Sequence, residues 1–121
     1  MLALTNPLPG KEAEYNRWYD DVAYPIYKSL PGLVPLGRFK AVDVPHMFPF
    51  QMENQFQYLS IYSFEAEDPV AFVEQMGIRL QNKDQYYLSE TIDKSRFCGP
   101  IYVAINDPNF EPIDRYDALK S

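Results

Sequence analysis

Apolar and polar positions along this 121-residue chain alternate between two periods, and the switches between them mark out six elements. Met1 to Thr5 is a short apolar run that reads as a first strand, closed by Asn6-Pro7-Leu8-Pro9-Gly10, through which neither strand nor helix continues. From Lys11 the period becomes helical: Tyr15, Tyr19, Val22 and Ile26 recur at offsets of 4, 7 and 11, behind Glu12 and Glu14 in the first turn. Pro25 falls inside this run and predicts a kink or break near Tyr24 before a last turn ends at Pro31-Gly32. Leu33 to Val42 reads as a second strand, where Pro35 and Gly37 predict an edge position or a bulge.

Asp43 to Asn54 is irregular but carries Met47, Phe48, Phe50 and Met52, an apolar set expected to lie down on something. Phe56 to Phe64 is the clearest strand, with apolar groups on both faces. Asp68-Pro69 supplies an N-cap and first helical residue, and Val73, Met76 and Leu80 carry a second helix to about Asn82. After a short connection through Tyr86-Tyr87-Leu88 and Glu90 to Lys94, alternation over Phe97 to Ile105 predicts a fourth strand. The domain is thus expected over residues 1–107 and a proline-rich, acidic arm over 108–121.

The order β-α-β-β-α-β is that of an α+β ferredoxin-like sandwich, whose right-handed crossovers put both helices on one sheet face. The other face is left bare. A sheet apolar on both faces needs a second cover, and a homodimer through the open face supplies it.

Composition narrows the partners. Seventeen acidic against eleven basic side chains give a net charge of −6 and a pI near 4.6, which opposes binding to nucleic acid or to an anionic membrane. Cys98 is the only cysteine, so no intrachain disulfide can form, and there is neither a CxxC pair nor a Cys/His cluster with zinc spacing. Met1-Leu2-Ala3-Leu4 lacks the basic flank and length of a signal peptide, and a cytoplasmic protein is expected. Aromatic residues make up 16% of the chain, ten of them tyrosine, a composition suited to a pocket or an interface for a small hydrophobic or aromatic substrate.

The stretch Trp18-Tyr19-Asp20-Asp21-Val22-Ala23-Tyr24-Pro25, followed by Leu30-Pro31-Gly32 and Arg38-Phe39, resembles the signature of EthD-like proteins of the dimeric α/β-barrel superfamily. In that pattern a Trp-Tyr-Asp-x-x-His-x-x-acid helix precedes a Pro-Gly turn and an Arg-Phe strand; here Ala23 replaces the histidine and Ile26 the carboxylate. The resemblance implies a cavity between sheet and helices for aromatic or polyketide-like molecules. It also implies cofactor-independent cyclase, isomerase or lyase chemistry, with monooxygenases and haem-binding branches among the relatives.

Candidate residues follow from chemistry and from that resemblance. His46 is the sole histidine and the one side chain with an ordinary pKa near neutrality, a general acid or base if its loop lids a cleft, or else a packing histidine between prolines. Arg38 can present a bidentate fork to a carboxylate or polarised carbonyl, and Tyr62 a hydroxyl, so His46, Arg38 and Tyr62 form the candidate catalytic set. By resemblance the pocket is lined by Tyr19, Ala23, Tyr27, Tyr58 and Tyr102. Asp20 and Asp21 diverge by roughly 100° on a helix and do not make a metal pair; Asp21 is the motif residue. There is no phosphate loop and no G-x-S-x-G elbow.

Two functional readings remain open. One is a cofactor-free enzyme in which tyrosines and Arg38 stabilise enolate charge while His46 moves the proton. The other is a non-catalytic binding dimer in which Ala23 enlarges the cavity and deletes the chemistry. Haem, with His46 as axial ligand, is a third possibility.

Overall fold

A computed structural model describes residues 1–81 and 89–106; the end of the second helix at Asn82, Tyr86 to Leu88 and the arm at 108–121 lie outside the described residues. The chain is α+β. Its three-stranded antiparallel sheet has the order β1 (Leu2–Thr5), β3 (Tyr58–Ser63), β2 (Val34–Lys40), with β3 central. Leu2 pairs with Ile61 and Thr5 with Tyr58 on one side, and Lys40 pairs with Tyr58 on the other. The register slips between Pro35 and Gly37, at the bulge that those two residues predict.

The helical stretch between β1 and β2 passes through α1 (Glu12–Trp18), a π-helical turn (Tyr19–Ala23) and α2 (Tyr24–Ser29). Pro25 does not break it. Its missing N–H and bulky ring would disrupt a regular turn, and the π turn just ahead absorbs the disturbance, with the Tyr24 N–H donating five residues back to the Tyr19 carbonyl. Leu30 then leaves the helix in an extended conformation, and Gly32, at φ +81°, turns the chain into β2. A Cβ at Gly32 would sit 3.2 Å from the Phe72 ring, so glycine serves both the turn and the close approach of α3 (Pro69–Gln81). Asp68 caps α3 as its position predicts, its side-chain Oδ1 accepting from the Ala71 N–H at 3.2 Å.

Both helical units cover one sheet face. Tyr15, Tyr19, Ala23, Tyr58 and Ile92 form one buried cluster, and Leu30, Leu33, Tyr62 and Met76 a second, with Tyr27 packed against both. Because strand side chains alternate, Leu59 and Ile61 point the other way, in register with Leu4 and Leu2 on β1 and with Phe39 and Gly37 on β2. That second face is apolar and only half-buried, and Phe39 is 50% exposed.

Two expectations are corrected. The fourth strand over Phe97–Ile105 contracts to a short pairing on the free edge of β1: the Leu4 N–H donates to the Cys98 carbonyl at 2.8 Å, the Cys98 N–H to the Leu4 carbonyl at 3.1 Å, and the Leu2 N–H to the Pro100 carbonyl at 3.0 Å. Pro100 has no N–H to return and Leu2 is the first residue of β1, so the ladder stops there; beyond it Tyr102, Val103 and Ile105 are exposed. The apolar side chains of the loop after β2 do not join the core of the described residues either. Val42, Val44, Met47, Phe50 and Met52 are all exposed, and Phe48 stacks on Phe50 at 5.4 Å instead of on the core.

Candidate functional site

The best-defined polar feature of the covered face is Arg38. It stands on β2 opposite Ser60, on the side of the sheet that the helices pack against, and only 8% of its surface is exposed. Three tyrosine rings surround its guanidinium: Tyr19 at 4.3 Å, Tyr15 and Tyr58 each at 5.3 Å from the ring centre. Such cation–π contacts return about 0.5–2 kcal/mol each, more where water is excluded. Arg38 Nη2 donates to Asn16 Oδ1 at 2.9 Å, and Asn16 Nδ2 donates in turn to the Tyr58 hydroxyl at 3.3 Å. Arg38 Nε is sealed from solvent without an acceptor.

The alternation of β2 and the π turn of the helix produce this arrangement together. Tyr15 and Tyr19 lie one turn apart and both reach the sheet, while the widened turn carries Ala23 into the same buried cluster. The Tyr15 hydroxyl hydrogen-bonds to Thr5 on β1, which ties helix to sheet. Burial raises the Tyr15 pKa above the ordinary phenol value, against the opposing pull of the Thr5 hydrogen bond and the nearby Arg38 charge.

Above Arg38 lies a groove of about 520 Å³ between α1 and the β2 edge, lined by Glu12, Asn16, Asp20, Arg38, Lys40 and Tyr58 among others. Its size is that of a small-ligand site. At the rim, Lys40 Nζ is held by Glu12 Oε1 at 3.1 Å, a bond that raises the Lys40 pKa.

The candidate residues separate into groups. Tyr19, Ala23, Tyr27 and Tyr58 come together with Arg38, and Tyr27 links them to Tyr62 through a ring contact of 4.8 Å. They do so as packed core rather than as walls of an open cavity: of this set Arg38 and Tyr58 line the groove. Ala23 is fully buried within the same cluster. Tyr102 is 71% exposed and lines a different groove with Leu2, Leu36 and Ile61.

His46 also stands elsewhere. It lines a groove of about 670 Å³ with Asn6, Asp43, Gln57, Asp93 and Arg96, and its Nε2 lies 3.5 Å from Glu53 Oε2. Asn6 clamps the return from this loop to β3, donating to the Gln55 carbonyl at 2.8 Å and accepting from the Gln57 N–H at 2.7 Å. Of the two acids in the motif, Asp20 lines the Arg38 groove and Asp21 is exposed, the reverse of the emphasis that the motif gives. Among the described residues no cluster of three or more His, Cys, Asp or Glu is placed to hold a metal, and no helix is long and apolar enough to cross a membrane.

Tyr15 is legible in the sequence only as the start of the helical stripe and Asn16 not at all, although Glu12, Asn16 and Asp20 recur every four residues as a polar stripe beside the tyrosines. That stripe is the lining of the groove.

No family model, curated protein or solved structure matches the chain.

Proposed function

We propose that this chain is a small-molecule-binding protein that takes a hydrophobic, oxygenated aromatic compound in the groove over Arg38. The observation that carries this reading is a nearly buried arginine, ringed by three tyrosines and bonded to a neutral amide, at the floor of a ligand-sized groove. Buried polar networks of this kind are costly for a fold unless they serve specificity.

The non-catalytic binding dimer is favoured over the cofactor-free enzyme. His46, the natural proton carrier, lines another groove and is paired with Glu53. Cyclase-, isomerase- or lyase-type chemistry at Arg38 would have to run without it. The ferredoxin-like sandwich and the EthD-like resemblance belong to this proposal as well. The β1-β3-β2 order and the pairing of Cys98 with Leu4 on the far edge of β1 support the first, since they put the remnant of a fourth strand where that fold needs it. Homodimerisation through the open face is supported by the half-buried row Leu2, Leu4, Leu59 and Ile61 with Phe39, for which a second sheet is the simplest cover.

Native mass spectrometry of the purified protein against a panel of hydroxylated and carboxylated aromatics tests both parts. Dimers taking up one ligand per chain are expected; an empty monomer that ignores the panel would overturn the reading.

A further inference from the structure

The geometry points to an anion as the ligand of this groove: an aromatic carboxylate whose charge is set against the Arg38 guanidinium. The inference rests on the binding reading above and narrows it to one ligand class.

Arg38 is a charge without a counter-charge. It is nine-tenths buried, yet among the described residues no carboxylate stands within ion-pair distance, and its side-chain hydrogen-bond partners, the Asn16 amide and the Tyr15 hydroxyl, are neutral. Nε has no acceptor at all. Withdrawing such a cation from water costs several kcal/mol, which the tyrosine faces offset only in part. Lys40, its neighbour at the rim, differs in this respect because Glu12 already neutralises it. A ligand carboxylate would complete what the protein leaves open.

The surroundings favour the same class. The chain as a whole is at −6, but the groove is lined by three cations, Arg17, Arg38 and Lys40, against two carboxylates, Glu12 and Asp20, a local reversal of sign. At physiological ionic strength charges more than about 8–10 Å away are screened, so the local balance governs a bound anion. A planar carboxylate suits the guanidinium fork. Tyr58, the tyrosine that lines the groove, gives its aromatic body a flat partner, and Asn16 joins the guanidinium to the Tyr58 hydroxyl.

Calorimetric titration of the full chain with benzoate, 4-hydroxybenzoate and 4-hydroxycinnamate, each against its primary amide, tests the inference on the wild-type protein. The acids are expected to bind at least 10-fold tighter than the amides, with the preference weakening at high salt. Arg38→Gln, checked for folding by circular dichroism, should bring acid and amide within about twofold of each other. Equal affinity for acids and amides in the wild type would overturn the anion assignment while leaving the groove a small-molecule site. Failure to bind either set would overturn the site and the assignment together.

Discussion

The two faces of one sheet, built from alternate residues of the same three strands, have opposite chemistries. The covered face carries Thr5, Arg38, Tyr58, Ser60 and Tyr62, every one buried, with Thr5 hydrogen-bonded to Tyr15 and both Arg38 and Tyr58 to Asn16. The open face carries Leu2, Leu4, Phe39, Leu59 and Ile61, apolar and half-exposed. A folding chain gains more by burying the leucines than the tyrosines and arginine. That inversion is the contrast on which the proposals of ligand recognition at the covered face and association through the open face both rest.

Removing a ring from the covered face should have the largest effect. Tyr15→Ala deletes a fully buried side chain that touches Tyr19 and Tyr58 and is expected to cost about 3–5 kcal/mol in urea unfolding. A change within ±0.5 kcal/mol would show that this cluster is not the core. A charge on the open face should instead act on assembly: Ile61→Asp is expected to convert dimers to monomers in light scattering and to lower the association constant at least 10-fold. If the variant and the wild type elute as the same species, the open face is not the interface.

The pH dependence bears on the covered face through Tyr15. The folded-state pKa of Tyr15 is raised, chiefly by burial. Its contribution to stability is therefore whole below the ordinary phenol value near 10 and is lost as pH rises through the folded value. Alkaline unfolding monitored beside tyrosinate absorbance should show the two events together in the wild type, and the coupling should weaken in Tyr15→Phe. The smallest effect is expected at His46. His46→Ala should change stability by less than about 0.5 kcal/mol and leave ligand affinity at the Arg38 groove unchanged.

Much of the fold was legible because its signals are local. Alternation over Tyr58–Ser63, the Asp68-Pro69 start and the bulge at Pro35 and Gly37 are each set by neighbours in sequence. The fourth strand was not legible beyond Pro100, because whether Phe97–Ile105 pairs depends on how much of β1 remains to receive it. The same holds for the site. Arg38 and the tyrosines are gathered by the family resemblance together with helix and strand periods, but the separation of His46 from them depends on the path of a loop held by Asn6 and Glu53, residues far apart in sequence with no common pattern.

The central claim is that a ligand enters over Arg38 on the covered face. Its most direct test is an NMR titration of the isotope-labelled chain with 4-hydroxybenzoate, following the Arg38 Nε–H, which the fold seals from solvent, and the Asn16 side-chain amide. Shifts concentrated at those two groups and along α1 and β2 are the predicted result. Shifts confined to the His46 loop or to the open face, with the Arg38 signal unmoved, would contradict the account.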